Sequence, residues 1–152
     1  MKYFSDIFKQ FLTTIKSNTL ADMTDADLTE YLNICMFRAA SDFLFPRVSL
    51  SYTIAQPDTD ILGYYFTTDL GQEEINVLLA LIESYWLEQQ KNNEENMELK
   101  YFDKDVRTHS GGKMLAELDK LVKSAKVSAK KAQTNYGRSN NNKSTLKDIY
   151  AK

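Results

Sequence analysis

Residues 71–90 of the chain are GQEEINVLLALIESYWLEQQ. Its apolar residues spread over nearly the whole circumference of a helix instead of following one stripe. A helix that is apolar on most sides must be buried on most sides. We therefore predict that it is the central helix of the domain, or a helix with a second buried face at a subunit interface. Its aromatic pair and the leucine that follows are assigned to that core or interface: Tyr85, Trp86 and Leu87.

Two further helices are predicted before this stretch. Apolar residues recur with helical spacing across residues 4–15, and we expect this first helix to end near Asn18. Thr24 is a good N-cap for the second helix, because acids such as Asp27 follow it in the first turn. We expect the second helix to end before Pro46, since the residue preceding a proline is driven out of the helical region.

Residues 47–67 lack the helical spacing of the segments on either side. VSLSYTI alternates apolar and polar side chains, and ILGYYF follows a turn-like QPDTD, so a small β-hairpin or extended excursion is predicted here. A polar stretch then leads through a helix end and an irregular loop to Gly111 and Gly112. The last long helix is predicted from about Lys113 to Gln133. The fold class is therefore mainly α, a bundle of about four helices with this β excursion and an extended C-terminal arm.

The C-terminal residues read as a docking arm. TNYGRSNNNKST, residues 134–145, holds a glycine and three consecutive asparagines, which is typical of a flexible linker. Beyond it, Leu146, Ile149 and Tyr150 recur at spacings of 3 and 1, so one helical turn would bring them together. We therefore divide the chain into a helical domain, 1–133, and a docking arm, 134–152. The alternative is a frayed terminus whose apolar residues are incidental.

Charge is distributed unevenly along the chain. Residues 1–100 hold 7 Lys or Arg and 16 Asp or Glu, whereas residues 101–152 hold 12 and 5. Four lysines of the last helix are candidates for contact with an acidic partner or with DNA: Lys123, Lys126, Lys130 and Lys131. Three explanations of the asymmetry stay open: a solvated helix face plus a disordered tail, head-to-tail packing of identical subunits, or contact with nucleic acid.

Enzymatic chemistry finds little support in the residues. His109 is the only histidine and Cys35 the only cysteine, which is too few for the usual zinc ligand sets. Ser110 beside His109 forms no recognisable nucleophile motif, and the Gly111–Gly112 pair lacks a phosphate-binding lysine. We expect no enzyme activity, no cofactor and no metal. Cys35 lies on an apolar stripe and is interpreted as a core residue.

Targeting signals are equally sparse. No apolar run approaches the roughly 20 residues needed to span a bilayer, so we expect no membrane association. The start, MKYFSDIFKQF, has a charge at Asp6 within its apolar residues, and we expect no signal peptide.

Three stretches together resemble the small neck proteins of tailed bacteriophages, which are head–tail connector, adaptor or head-completion proteins. They are DADLTEYLNICMFRAASDF (25–43), FTTDLGQEEINVLLALIESYWLEQQKNNEENMELKYFDKDV (66–106) and SGGKMLAELDKLV (110–122). The features that carry the resemblance are Phe66, Asp69, Leu70, Glu74 and Ile75, followed by Trp86, Leu87 and Gln90. The resemblance is one of packing positions and covers about residues 24–125.

The resemblance implies a non-enzymatic virion protein, made in the host bacterial cytoplasm and located in the phage neck. Such proteins form a ring, often of twelve copies, that joins the portal and head to the tail and lets DNA pass. The implied partners are the portal protein and other neck or tail proteins, with transient, non-specific DNA contact. The alternative from the residues alone is a small helical protein that binds nucleic acid non-specifically through its basic C-terminal helix.

Overall fold

Four helices and a small antiparallel sheet make up the described part of the chain. The computed structural model describes residues 2–15, 24–54, 63–102 and 111–150, with side chains in these ranges except at 94–102, 111–113 and 140–150. The elements in chain order are β1 (Lys2–Tyr3), α1 (Phe4–Thr14), α2 (Asp25–Asp42), β2 (Tyr52–Ile54), β3 (Tyr64–Phe66), α3 (Gln72–Phe102) and α4 (Gly111–Tyr150). The predicted mainly helical bundle with a β excursion is confirmed.

Helix α3 is the centre of the bundle, as its apolar circumference predicts. It packs against α1, α2 and α4, and buries residues on every side. Tyr85 and Trp86 are buried, and Leu87 packs against the core from a half-buried position, so all three belong to the core of a single chain. The buried set on this helix is Ile75, Val77, Leu78, Leu81, Ile82, Tyr85 and Trp86.

Helix α2 begins as predicted. The backbone N–H of Asp27 donates to the hydroxyl of Thr24 at 3.2 Å, which satisfies one of the free amides of the first turn. The helix ends at Asp42, four residues before Pro46. Cys35 is buried on the inner face, which confirms its assignment to the core. The predicted end of the first helix at Asn18 lies outside the described residues, and the helix assignment of α1 ends at Thr14.

The hairpin is confirmed, and a third strand joins it. Strands β2 and β3 pair antiparallel, and β1 pairs with the other edge of β3, so the order is β1–β3–β2. The tight link from β1 into α1 places Phe4 over the sheet. Phe4 is fully buried, and its ring lies within 4.8–6.1 Å of five other aromatic rings, those of Phe8, Phe37, Tyr52, Tyr64 and Phe66. Residues 55–62 of the predicted excursion lie outside the described residues.

The last helix extends further than predicted. Helix α3 ends at Phe102, within the polar stretch where a helix end is expected. The predicted end of the last helix at Gln133, and the flexible spacer after it, are wrong. Helix α4 runs for 40 residues to Tyr150, through Gly137 and the three asparagines. At 1.5 Å per residue, it is roughly 60 Å long.

None of the helices within the described ranges has the length and hydropathy that crossing a membrane requires.

Replacing Phe4 by alanine should destabilise the fold by about 3–5 kcal/mol, because it empties the centre of the aromatic cluster. Urea denaturation followed by circular dichroism measures this change. Phe45→Ala is the matched control, since Phe45 is 86% exposed and should cost no more than about 0.5 kcal/mol. Equal losses from the two substitutions would show that the aromatic cluster is not the core of this end of the molecule.

Candidate functional site

Helix α4 packs on the bundle through a seam of alternating spacings of 3 and 4. The seam residues are buried or half-buried along this line, and are Leu115, Leu118, Val122, Ala125, Ala129, Ala132, Tyr136 and Ser139. This heptad spacing is typical of helices that pack nearly antiparallel along their length. Small alanines in the middle allow close approach to α3, and Tyr136 fills the far end of the seam. The seam therefore passes the predicted boundary at residue 133 without a break.

Tyr136 is the polar anchor of this seam. It is 4% exposed, and its hydroxyl donates to the carboxylate of Glu74 at 2.7 Å. The same hydroxyl accepts the backbone N–H of Arg47 at 2.9 Å. Glu74 is itself 7% exposed in the first turn of α3, where the helix dipole favours a negative charge. Burial and the hydrogen bond to Glu74 both raise the pKa of Tyr136, so the hydroxyl keeps its proton and remains a donor.

The loop between α2 and β2 is held on the same anchor. The Arg47 guanidinium lies 4.1 Å from the centre of the Tyr136 ring, donates to the carbonyl of Tyr136 and pairs with Glu73 at 2.6 Å. The backbone N–H of Leu44 donates to the side chain of Gln133 at 2.7 Å. Two successive turns of α4 thus fasten this loop. We call the contacts among Gln133, Tyr136, Arg47 and Glu74 the Tyr136 anchor.

Sequence reasoning missed this anchor. The local sequence predicts a flexible spacer at Tyr136 because its neighbours Gly137 and the asparagines are poor helix formers. The signal that could have found it is the seam itself, since the 3–4 spacing from Leu115 reaches Tyr136 and Ser139 in phase. Nothing in the sequence pairs Arg47 or Glu74 with Tyr136, because these residues are far apart along the chain.

The register between α3 and α4 shows where α4 passes the start of α3. Lys91 pairs with Asp119 at 2.9 Å, Lys126 with Glu88 at 2.7 Å, and Tyr136 with Glu74. The two helices therefore run antiparallel. In this register, the first residue of α3 lies beside about residue 138 of α4. Residues 139–150 continue roughly 18 Å past that point. We call residues 139–150 the overhang.

The predicted docking residues fall within the overhang. Continuing the spacing of the seam beyond Ser139 gives positions 143, 146 and 150, which hold Lys143, Leu146 and Tyr150. The backbone of this segment is helical, while the side chains of Leu146, Ile149 and Tyr150 lie outside what the structure describes. The docking role of these residues stays a prediction.

The four predicted contact lysines divide into two pairs. Lys123 bridges to Asp119 on its own helix at 2.6 Å, and Lys126 bridges to Glu88 of α3. The hydrogen bonds from Lys123 and Lys91 lower the pKa of Asp119 to about 2. Lys130 and Lys131 are exposed and form no ion pair with another described residue. Part of the opposite charge of α3 and α4 is therefore matched within the chain.

The described side chains form no recognisable catalytic site. No group of three or more His, Cys, Asp or Glu side chains within these ranges is arranged to hold a metal ion. Cys35 is buried, and burial raises the pKa of its thiol. His109 and Ser110 lie outside the described residues. No family model, curated protein or solved structure matches this chain.

Substituting Tyr136 by phenylalanine should lower the free energy of unfolding at neutral pH by about 1–3 kcal/mol, because it leaves buried Glu74 without its donor. Thermal and urea denaturation measure the loss. Tyr65→Phe is the matched control, since the hydroxyl of half-buried Tyr65 bonds no described residue. Similar losses in the two variants would contradict the anchor.

The pH dependence of the same variant gives a second readout. A raised folded-state pKa means that the stabilisation is complete below the ordinary tyrosine pKa of 10.0 and is lost as pH rises through the folded value. Above pH 10.0, the difference between wild type and Tyr136→Phe should therefore shrink. Comparing the two proteins removes the contributions of Tyr31 and Tyr85, whose pKa values burial also raises.

Proposed function

We propose that this protein is a structural subunit of the neck of a tailed phage, forming a ring between the portal and the tail. The observation that carries the proposal is the overhang, a continuous helical segment that extends past the start of α3 and holds Leu146, Ile149 and Tyr150. A helix held by a packed seam from Leu115 to Ser139 presents its end at low entropic cost, which favours docking on another protein.

The architecture supports an assembly role in two further ways. Helix α3 packs against α1, α2 and α4, and α4 is a second long helix antiparallel to it. These contacts are mainly apolar packing. The two helices carry opposite charge, with seven acids against two lysines on α3 and nine Lys or Arg against three acids on α4. A subunit with acidic and basic surfaces suits a head-to-tail interface, which closes into a ring when the rotation between neighbours is right.

A helical overhang would dock differently from the flexible arm that the sequence predicts. A flexible arm must be ordered on binding, which weakens the affinity, whereas a helical overhang is already in its binding conformation. In this proposal the overhang inserts between elements of the neighbouring ring, and the Tyr136 anchor sets the angle at which it projects. The helical bundle then forms the body of the ring.

Replacing both Leu146 and Tyr150 by aspartate should abolish binding to the portal protein encoded by the same genome. The expected reason is that two charges are placed on the apolar line of the overhang. Size-exclusion chromatography and electron microscopy of the mixed proteins measure ring formation on the portal. Ser144→Asp, a charge on another side of the same helical segment, is the control and should still bind. Undiminished ring formation by the double variant would overturn the docking role.

A second candidate function is non-specific DNA contact, which Lys130 and Lys131 favour because neither is paired within the described chain. Phosphate contact predicts that DNA affinity falls steeply with salt. Replacing both lysines by glutamate should then reduce the salt dependence and the low-salt affinity, measured by fluorescence anisotropy. Val127→Ala on the same helix is the control. Absence of binding by the wild type at low salt would remove this candidate.

A further inference from the structure

One edge of the sheet is open within the described part of the chain. Strand β2 pairs with β3 on one side and with no described strand on the other, so it is an edge strand. All three of its residues are exposed, Tyr52 by 42% and Ile54 by 61%. The backbone groups that an edge strand turns outward can bind another extended chain. The outer edge of β2 is therefore a candidate surface for strand pairing.

The register of the hairpin identifies which backbone groups of β2 face outward. The backbone N–H of Thr67 donates to the carbonyl of Ser51 at 2.9 Å, so these two residues form a hydrogen-bonded pair. Hydrogen-bonded and non-hydrogen-bonded pairs alternate along an antiparallel ladder. Thr53 therefore turns its backbone towards β3, whereas Tyr52 and Ile54 direct their N–H and C=O groups away from it. These outward groups bond no other described residue.

The sequence of this edge lacks the features that usually block strand pairing. Exposed edges are commonly protected by charged side chains or by prolines. Residues 48–56 contain neither a charge nor a proline. By contrast, the strand at the other edge of the sheet, β1, is two residues long and carries Lys2. The three-residue length of β2 limits the number of hydrogen bonds, so a contact at this edge is expected to be weak.

We propose that β2 pairs antiparallel with β2 of a second copy of this chain, about a two-fold axis at Thr53. This register places Tyr52 of each copy opposite Ile54 of the other. Every outward N–H of one copy then donates to an outward carbonyl of the other, as in an ordinary antiparallel ladder. The three-stranded sheets of the two copies join into one continuous sheet.

The symmetry of the edge selects a second copy as the partner. The two outward-facing residues lie one on each side of Thr53, so a two-fold axis there sets the donors of one copy against the acceptors of the other. The facing side chains are an aromatic and a β-branched residue, a pair that stabilises antiparallel sheets. Both are exposed in the single chain and become covered. Because no charge lies on this edge, identical copies meet without like-charge repulsion.

This contact is separate from the proposed ring. It uses the edge of the sheet, whereas the ring proposal rests on the overhang and on the charged surfaces of α3 and α4. Neither a portal protein nor DNA is needed to form it. Its failure would leave the proposed function unchanged, and failure of the proposed function would leave this contact unchanged.

Sedimentation velocity of the purified full chain, from micromolar to millimolar concentration, tests the contact. The wild type should show a monomer–dimer equilibrium. Ile54→Pro removes an outward N–H that bonds no described residue, so it should leave the fold intact and delete one interchain hydrogen bond from each copy. The dimer dissociation constant should rise by about tenfold or more. Circular dichroism checks that the variant is folded.

A charge swap at Thr53 tests the two-fold axis itself. Thr53 is exposed and would face Thr53 of the other copy in a non-hydrogen-bonded pair, where side chains approach most closely. Thr53→Lys and Thr53→Glu each place like charges opposite one another, so the dissociation constant of each alone should rise by about threefold or more. Mixed in equal amounts, they should form a heterodimer that is tighter than either homodimer. Ser128→Lys and Ser128→Glu, at an exposed position of α4, are the matched controls and should dimerise like the wild type.

Three outcomes would overturn the proposal. A wild type that stays monomeric at every concentration would show that this edge does not bind its own copy. A folded Ile54→Pro variant that dimerises like the wild type would place the interface elsewhere. A mixture of the two Thr53 variants that pairs no better than either alone would show that no two-fold axis lies at Thr53. Should Ile54→Pro fail to fold, the charge swap decides alone.

Discussion

The hydroxyl of Tyr136 makes the hydrogen bonds that fix the outer half of α4 on the bundle. By donating to Glu74 and accepting from Arg47, it joins the outer half of α4 to the first turn of α3 and to the loop after α2. It closes the packed seam of α4, so it sets the point at which the overhang begins. The same contact restrains the backbone around Phe45. One buried tyrosine therefore fixes both the outer half of α4 and the loop after α2.

The charge asymmetry of the sequence has an internal component. Helices α3 and α4 bear opposite charges and lie against each other, with Lys91–Asp119 and Lys126–Glu88 bridging them. Such partly exposed bridges each contribute little to stability, but together they favour the antiparallel register over a shifted one. The charge left over is concentrated towards the outer part of α4, near Lys130 and Lys131. Contacts with acidic partners are therefore expected on that part of the helix.

Local patterns predicted the elements that depend on neighbouring residues. The all-round apolar character of 71–90 predicted the central helix, and Thr24 predicted the start of α2. Residues 134–145 were predicted wrongly because local propensity indicated a linker, whereas the long-range contacts of Tyr136 and Gln133 favour a helix. No local sequence pattern shows that Glu74 and Arg47 bind Tyr136, because they are distant from it along the chain. The Tyr136 anchor is therefore visible only in the structure. β1, two residues long, also gave no pattern to detect.

Helix α4 is one continuous helix from Gly111 to Tyr150, and its last turns extend past the start of α3. Spin labels at cysteines replacing Lys120 and Lys147, with Cys35 changed to alanine, allow the distance along this helix to be measured by double electron–electron resonance. A continuous helix predicts a narrow distribution centred at about 40 Å, from 27 residues at 1.5 Å each. A broad distribution shifted to shorter distances would contradict the account, because it would show a flexible arm beyond the Tyr136 anchor.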